Sequence, residues 1–250
     1  MHPKQKGVFM NIILVGCEFA GKTTLAAEIV EWSEANLGGS SHFHDHFTIP
    51  STELSPEAAA SYKAVHPQVK EMFQRFMISY HASDGFFGNA DHNLMGFHIE
   101  EAVYAPLYYG YGGPNTQSPL RSPNGQRTEM ARHMEAEILE LAPKVVLVLM
   151  KTTPEVIRAR MAANTYPDVA TVERQKKSKL FGEPTRGVVK EEDVEHVLAR
   201  FEEEFEASLI PNKMVLDTTS ATVEETLAEF VAGVQPFLST TDKERLAKPS

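Results

Sequence analysis

Residues Gly16-Cys17-Glu18-Phe19-Ala20-Gly21-Lys22-Thr23 follow the spacing G-x-x-x-x-G-K-T, the pattern of a loop that wraps the phosphates of a nucleoside triphosphate. Each required residue type has a job in that chemistry. The glycines let backbone N–H groups close around phosphate oxygens, the Lys22 ammonium reaches the β- and γ-phosphates, and the Thr23 hydroxyl ligates magnesium. Thr24 continues into a segment whose helical N-terminus adds its dipole. The flanks make the match specific: 8–15 is an apolar run of strand character, and Leu25, Ile29 and Trp32 recur at helical spacing until Gly38-Gly39. The nine residues from Gly16 to Thr24 are therefore the expected nucleotide-binding set.

Further elements must position this loop. Alternation predicts a second strand over 41–47. Helices follow at 56–65 and 69–80, broken near His66-Pro67, and Val69, Met72, Phe73, Phe76, Met77 and Tyr80 form one apolar stripe on the second of them. A third strand is expected at 94–99, running into Glu100-Glu101, then a helix at 128–141 stopped by Pro143. The continuous apolar run 145–150 is a fourth strand of the kind buried on both faces. Pro154 opens a helix, Val194, Val197, Leu198, Phe201 and Phe205 mark an amphipathic one, 213–216 is a fifth strand and 222–237 a closing helix. This alternation predicts a doubly wound parallel α/β sheet, with ligands gathered at the carboxyl ends of the strands. That rule singles out Gly16, Asp45, Glu100, Lys151 and Asp217. One domain over 8–238 is expected, with a polar, basic lid at about 164–189, a flexible extension over 1–7 and a loose tail over 239–250.

The formal net charge of −10 argues against a nucleic-acid surface, which rests on concentrated Lys and Arg. Small-molecule partners fit better. Cys17 is the sole cysteine, which excludes an intramolecular disulfide and suits a reducing cytosol. It is read as a small loop filler, with oxidation of its thiol the alternative. No apolar run approaches the length of a membrane span, so a soluble, cytoplasmic protein is expected, with no membrane partner and the oligomeric state open, a homodimer included.

With these elements in order, the chain resembles the nucleoside and nucleotide kinases of the phosphate-loop superfamily, especially the deoxynucleoside-kinase and thymidylate-kinase branch. Asp45 stands where deoxynucleoside kinases place the carboxylate that takes the proton from the acceptor hydroxyl. Glu100-Glu101-Ala102-Val103-Tyr104 looks like that family's Glu-Arg-Ser-x-Tyr segment, with Glu100 as the acid near magnesium and Tyr104 in the acceptor region. Phe73-Gln74-Arg75-Phe76 is similar to the helix that offers a glutamine, here Gln74, to the nucleobase. Pro154 to Arg160 resembles the helix before the lid, whose arginines approach the adenine and the transferred phosphoryl group, and 213–220 resembles the last strand and adenine loop. The resemblance implies five strands in the order 2-3-1-4-5, magnesium-ATP as donor and a small-molecule acceptor. One departure stands out: Glu101 replaces the family arginine and reverses a charge near the acceptor. A second acid would repel a nucleoside monophosphate and favour a cationic or polyhydroxylated acceptor.

The expected activity is thus ATP-dependent transfer of a phosphoryl group to a hydroxyl of a nucleoside-like or other polar metabolite. A nucleoside monophosphate kinase is the nearest alternative, and a regulatory NTP-binding module acting on a protein partner is the alternative of another class. Asn212-Lys213-Met214-Val215 lacks the Asp of the guanine-reading Asn-Lys-x-Asp motif. Transfer needs positioning and charge neutralisation, for which Lys22, Thr23 with magnesium, and one of Arg158 and Arg160 are candidates. Two residues apart on a helix, these arginines cannot both face the site, and Arg160 is preferred. Glu101 competes with Glu100 for magnesium, because neighbours on a strand face opposite ways. Arg174, Lys176, Lys177, Lys179 and Arg186 form a positive stretch in the lid. His42, His44 and His46 share one strand face, with packing preferred over zinc. Tyr104, Tyr108, Tyr109 and Tyr111 are candidates to line the acceptor pocket, and Arg121, Arg127 and Arg132 to bind an anionic group.

Overall fold

The computed structural model describes residues 10–38, 41–45, 55–81, 91–112, 127–163 and 188–247. The two most apolar runs of the chain become the centre of a parallel sheet. β1 (Asn11–Val15) is buried at every position and pairs with β4 (Val146–Lys151), Ile12 opposite Val146. On its other side β1 pairs with β3 (Asp91–Met95), which carries β2 (Ser41–Asp45) at the edge, while β5 (Asn212–Asp217) lies beyond β4. The order is β2-β3-β1-β4-β5, all parallel. Parallel strands need crossovers, and the helices supply them. α1 (Lys22–Leu37) buries Leu25, Ala26, Ile29 and Val30. α2 (Pro56–Ala64) and α3 (Pro67–His81) precede β3, α4 (Phe97–Tyr104) and a π turn (Ala105–Tyr109) follow it, and α5 (Arg127–Leu141) leads to β4. α6 (Pro154–Ala162) starts at a Thr153 cap with proline in its first turn. α7 (Val194–Ala207) buries Val194, Val197, Phe201 and Phe205, and α8 (Val223–Val234) opens with a Thr222–Glu225 capping box. No described helix is long and apolar enough to cross a membrane.

Three sequence expectations change. The third strand does not run over 94–99. It ends at Met95, because Gly96 and Phe97 take left-handed φ values of 74° and 50° and turn the chain into α4. Glu100 and Glu101 are therefore helical neighbours rather than the end of a strand.

The described part of the expected loose tail over 239–250 is helical. Residues Thr240–Leu246 form α9, opened by a Ser239–Asp242 capping box. Arg245 fixes it in place: its guanidinium meets both oxygens of the buried Asp91 at 2.9 and 2.5 Å and donates to the Leu37 and Gly38 carbonyls at the end of α1. Asp91 also accepts the Met10 N–H at 2.9 Å. The helix thus locks the amino-terminal edge of the sheet.

The stripe on α3 faces outward. Val69, Met72, Phe73 and Phe76 are 48%, 63%, 47% and 65% exposed, while Lys70, Glu71 and Gln74 are buried. The amphipathic pattern is present, but this helix gives its polar side to the interior, where Gln74 meets Tyr62 of α2.

Arg245→Ala leaves the Asp91 carboxylate buried with its main partner gone. The expected loss is about 3 kcal/mol of unfolding free energy, read by urea denaturation. A loss under about 0.5 kcal/mol, the level of a neutral surface change, would mean that α9 does not secure the sheet.

Candidate nucleotide-binding site

The loop between β1 and α1 bends where the sequence permits it. Gly16 has φ 143°, and a Cβ there would lie 2.6 Å from the Met150 carbonyl oxygen, so only glycine lets the loop pass this close to β4. Gly21, at φ 95°, enters α1 from the left-handed region. Phe19 takes φ 65° without being glycine, a local strain of the kind found at binding loops.

Side chains from three directions hold the loop carbonyls. Lys22 Nζ donates to the Gly16 and Cys17 oxygens at 2.5 and 3.1 Å. Arg160 donates to the Phe19 and Thr218 oxygens, both at 2.8 Å. The Thr218 hydroxyl donates to the Ala20 oxygen at 2.9 Å. A trans peptide sets its N–H opposite its C=O, so drawing the Ala20 carbonyl toward Thr218 turns the Gly21 N–H the other way. Burial lowers the Arg160 pKa from its ordinary value.

Lys22 is buried and lies 2.9 Å from Glu100 Oε1. Burial works against its charge, but the adjacent Glu100 carboxylate holds its pKa above the ordinary lysine value. Gly96 makes this pair feasible, since a Cβ at that position would fall 2.2 Å from Glu100 Oε2. Glu100 also sits in the first turn of α4, where a negative charge is favoured. Beyond the Lys22 contact the Glu100 carboxylate keeps further lone pairs that a hard cation could take. Thr23, whose hydroxyl donates to the weak acceptor Met95 Sδ at 3.7 Å, starts the same helix as Lys22. These two oxygen donors fit magnesium, which takes few protein ligands and keeps waters and phosphate oxygens. Among the described residues no group of three or more His, Cys, Asp or Glu could hold a metal by itself.

The remaining predicted residues divide. Asp45 ends β2 opposite Met95, so its backbone reaches the carboxyl edge of the sheet next to Gly96. Gln74 and Glu101 are buried, both near the Tyr62 hydroxyl, and Glu101 Oε1 accepts from Tyr111 at 3.2 Å. Tyr104 is not placed to line an acceptor pocket. It is 1% exposed, its hydroxyl accepts the Glu18 N–H at 3.1 Å, and burial raises its pKa well above the ordinary tyrosine value. Arg158 turns away from the loop to pair with Glu195 at 2.6 Å on α7. Lys151 pairs with Glu202, and Asp217 accepts its own Thr219 N–H, so neither points at the loop. Cys17 is fully buried and its thiol is pushed up to about 12 by that burial, which removes the thiolate needed for oxidation. Glu18 is likewise raised by burial, opposed by the Val189 N–H. The basic stretch from Arg174 to Arg186, His46 and Arg121 lie outside the described residues, as do the side chains of Asp45, His42, His44 and Arg127.

Arg132 belongs to a buried frame rather than an anion site. It donates to Glu135 and to the Glu204 carbonyl, and Glu135 also meets His98 at 2.9 Å, the Ser208 hydroxyl at 2.7 Å and the Leu209 N–H at 2.7 Å. This network ties α4, the helix of Glu100, to α5 and the end of α7. Sequence reasoning passed over Glu135, His98, Thr218 and Gly96. Only Thr218 and Gly96 carried a signal, each being the first residue beyond a strand end.

The sheet order, the glycine-shaped loop after β1 and the lysine at the start of α1 define a phosphate-loop α/β fold. Comparison with solved structures agrees. A deoxyadenosine kinase from M. mycoides with bound dCTP superposes with a TM-score of 0.51 at 14% identity, covering 91% of this chain and 100% of that one. A thymidylate kinase from Candida albicans superposes at 0.50 and 11% identity, covering 95% of this chain and 94% of the other. No protein-family model matches the sequence, and no curated protein matches it.

Gly96→Ala forces a Cβ onto the Glu100 carboxylate at a left-handed φ, and Glu100→Ala strands Lys22. Each is expected to cost about 1–3 kcal/mol, and the double variant less than their sum, because removing the carboxylate removes the clash. Strict additivity in urea denaturation would refute the link between Gly96 and Glu100.

Glu135 gives a second expectation. Burial pushes its carboxyl up, but His98, the Leu209 N–H and the Ser208 hydroxyl hold it below the ordinary 4.5. A depressed acid contributes stability that is complete above its unfolded pKa and is lost as pH falls through the lower folded value. Unfolding free energy is therefore expected to decline below about pH 4.5, and Glu135→Gln to flatten that decline. An unchanged acid limb in the variant would refute the assignment.

Proposed function

We propose that this protein is an ATP-dependent small-molecule kinase that transfers the γ-phosphoryl group to a hydroxyl of a nucleoside-like or other polar metabolite. The observation that carries the reading is the convergence of Lys22, Thr23, Glu100 and Arg160 on one strained, carbonyl-anchored loop at the carboxyl edge of a parallel sheet. A triphosphate offers Lys22 a negative partner in addition to Glu100, and Arg160 adds positive charge at the Phe19 side of the loop. Thr23 and Glu100 would hold magnesium, which would supply charge neutralisation to the phosphate oxygens when bound.

The acceptor side supports an alcohol without a phosphate of its own. Asp45 is the proposed base, since its position at the end of β2 puts it beside the turn that carries Glu100. A positioned carboxylate contributes about 10²–10⁴-fold by taking the hydroxyl proton. Gln74, Tyr62, Tyr111 and Glu101 offer donors and acceptors to a polar ring, and the Glu101 carboxylate opposes an acceptor that already carries negative charge. A soluble enzyme acting in the cytoplasm accords with this chemistry.

The test is ADP formation by the purified protein with magnesium and ATP across nucleosides, nucleoside monophosphates, sugars and aminoglycoside-like compounds. Acceptor-dependent ADP with a matching phosphorylated product is expected, Lys22→Ala reducing the rate by about 10²–10³-fold. Asp45→Asn should keep ATP affinity and lose about 10²–10⁴-fold in transfer. Preferred turnover of nucleoside monophosphates would replace this reading with a monophosphate kinase. ATP binding with no acceptor-dependent turnover would replace it with a regulatory module.

A further inference from the structure

The G-x-x-x-x-G-K-T pattern leaves position 18 unspecified, yet Glu18 is among the most connected residues of the loop. Its Oε2 accepts the Val189 N–H at 2.9 Å, and the Val188 N–H is directed at the same carboxylate. Its own N–H donates to the Tyr104 hydroxyl at 3.1 Å. One turn further along, the Tyr108 hydroxyl accepts the Lys190 N–H at 3.3 Å and donates to Asp193 Oδ2 at 2.9 Å. Three consecutive backbone amides, 188 to 190, are thus met by side chains from the phosphate loop and from the π turn after α4. They belong to no helix or strand, and Val189 is buried.

Buried N–H groups must be paired, so the buried Val189 amide depends on the Glu18 carboxylate, while the Lys190 amide is held by Tyr108. A carboxylate that accepts two backbone N–H groups makes charge-assisted bonds, roughly twice as strong as neutral ones. The same contact acts on the loop from the other side, since Tyr104 pins the Glu18 peptide while Val188 and Val189 fix its side chain. We propose that Glu18 is a positioning residue that locks the phosphate loop to the segment 188–193, so that the two become ordered together. Given the ATP reading above, nucleotide at the loop then tightens 188–193, and by linkage an ordered 188–193 tightens nucleotide binding by the same factor.

Hydrogen exchange on the full chain tests this, with and without magnesium and a non-hydrolysable ATP analogue, in wild type, Glu18→Ala, Glu18→Gln and Tyr108→Phe. Without nucleotide, amides 188–190 are expected to exchange about tenfold faster in Glu18→Ala. Glu18→Gln, which keeps one acceptor oxygen, should fall between. Tyr108→Phe should release Lys190 without releasing 188–189. The analogue should slow exchange at 188–193 in wild type and leave Glu18→Ala unaffected, although its loop still becomes protected. A purely structural glutamate would not remove that response. Wild-type exchange at 188–190 in Glu18→Ala, or an undiminished response to the analogue, would overturn the proposal. If the analogue leaves the wild-type loop 16–24 unprotected, the ATP reading fails, and the nucleotide-free exchange alone decides whether Glu18 locks the segment.

Discussion

A lysine buried at the start of a helix has to be given a countercharge, and much of the molecule is arranged to meet that need for Lys22. The glycine turn after β3 puts an acid into the first turn of α4 and clears the space in which its side chain folds back. The helix that carries the acid is then fixed from behind by Glu135, itself buried and satisfied by His98, Ser208 and a backbone N–H. Charge placement at the loop therefore depends on a second polar cluster on the opposite side of α4. Neither cluster is optional, because an ionised group without a partner in such surroundings costs several kcal/mol.

The phosphate loop obeys a related constraint on its backbone. Its carbonyls are claimed by Lys22, Arg160 and Thr218, contributed by α1, α6 and the end of β5. Three elements that are distant in sequence thus share one task. A loop whose carbonyls are held in place is preorganised, and preorganisation is how a binding site avoids the entropic cost of ordering itself around its ligand.

The features legible in the sequence were those governed by local patterns. The phosphate loop, the continuous apolar run of β4 and the spacing of Val194, Val197, Phe201 and Phe205 follow from rules that need no tertiary information. The turn at Gly96-Phe97 was hidden because Leu94 to Ile99 is apolar but for His98, and Gly96 alone does not announce a second positive φ at Phe97. The orientation of α3 was hidden for a different reason. An amphipathic pattern tells which residues share a face, not which face meets the interior, and here Lys70, Glu71 and Gln74 are the inward ones. The buried frame of Glu135 was invisible because, Arg132 apart, its partners His98, Ser208 and Leu209 lie 37 to 74 positions from it. Arg158 and Arg160 could be separated by helical geometry, but only the partner Glu195 shows which one leaves the site.

The contact between Arg245 and Asp91 spans 154 positions in the chain, and this separation bears on how the protein is made. β1 can pair with β3 once about the first hundred residues have been synthesised. The Asp91 carboxylate at the start of β3 would then be buried without its guanidinium partner until residue 245 has left the ribosome. Without α9 the amino-terminal edge of the sheet lacks this ion pair. α9 thus joins the end of α1 and the start of β3 through a single guanidinium.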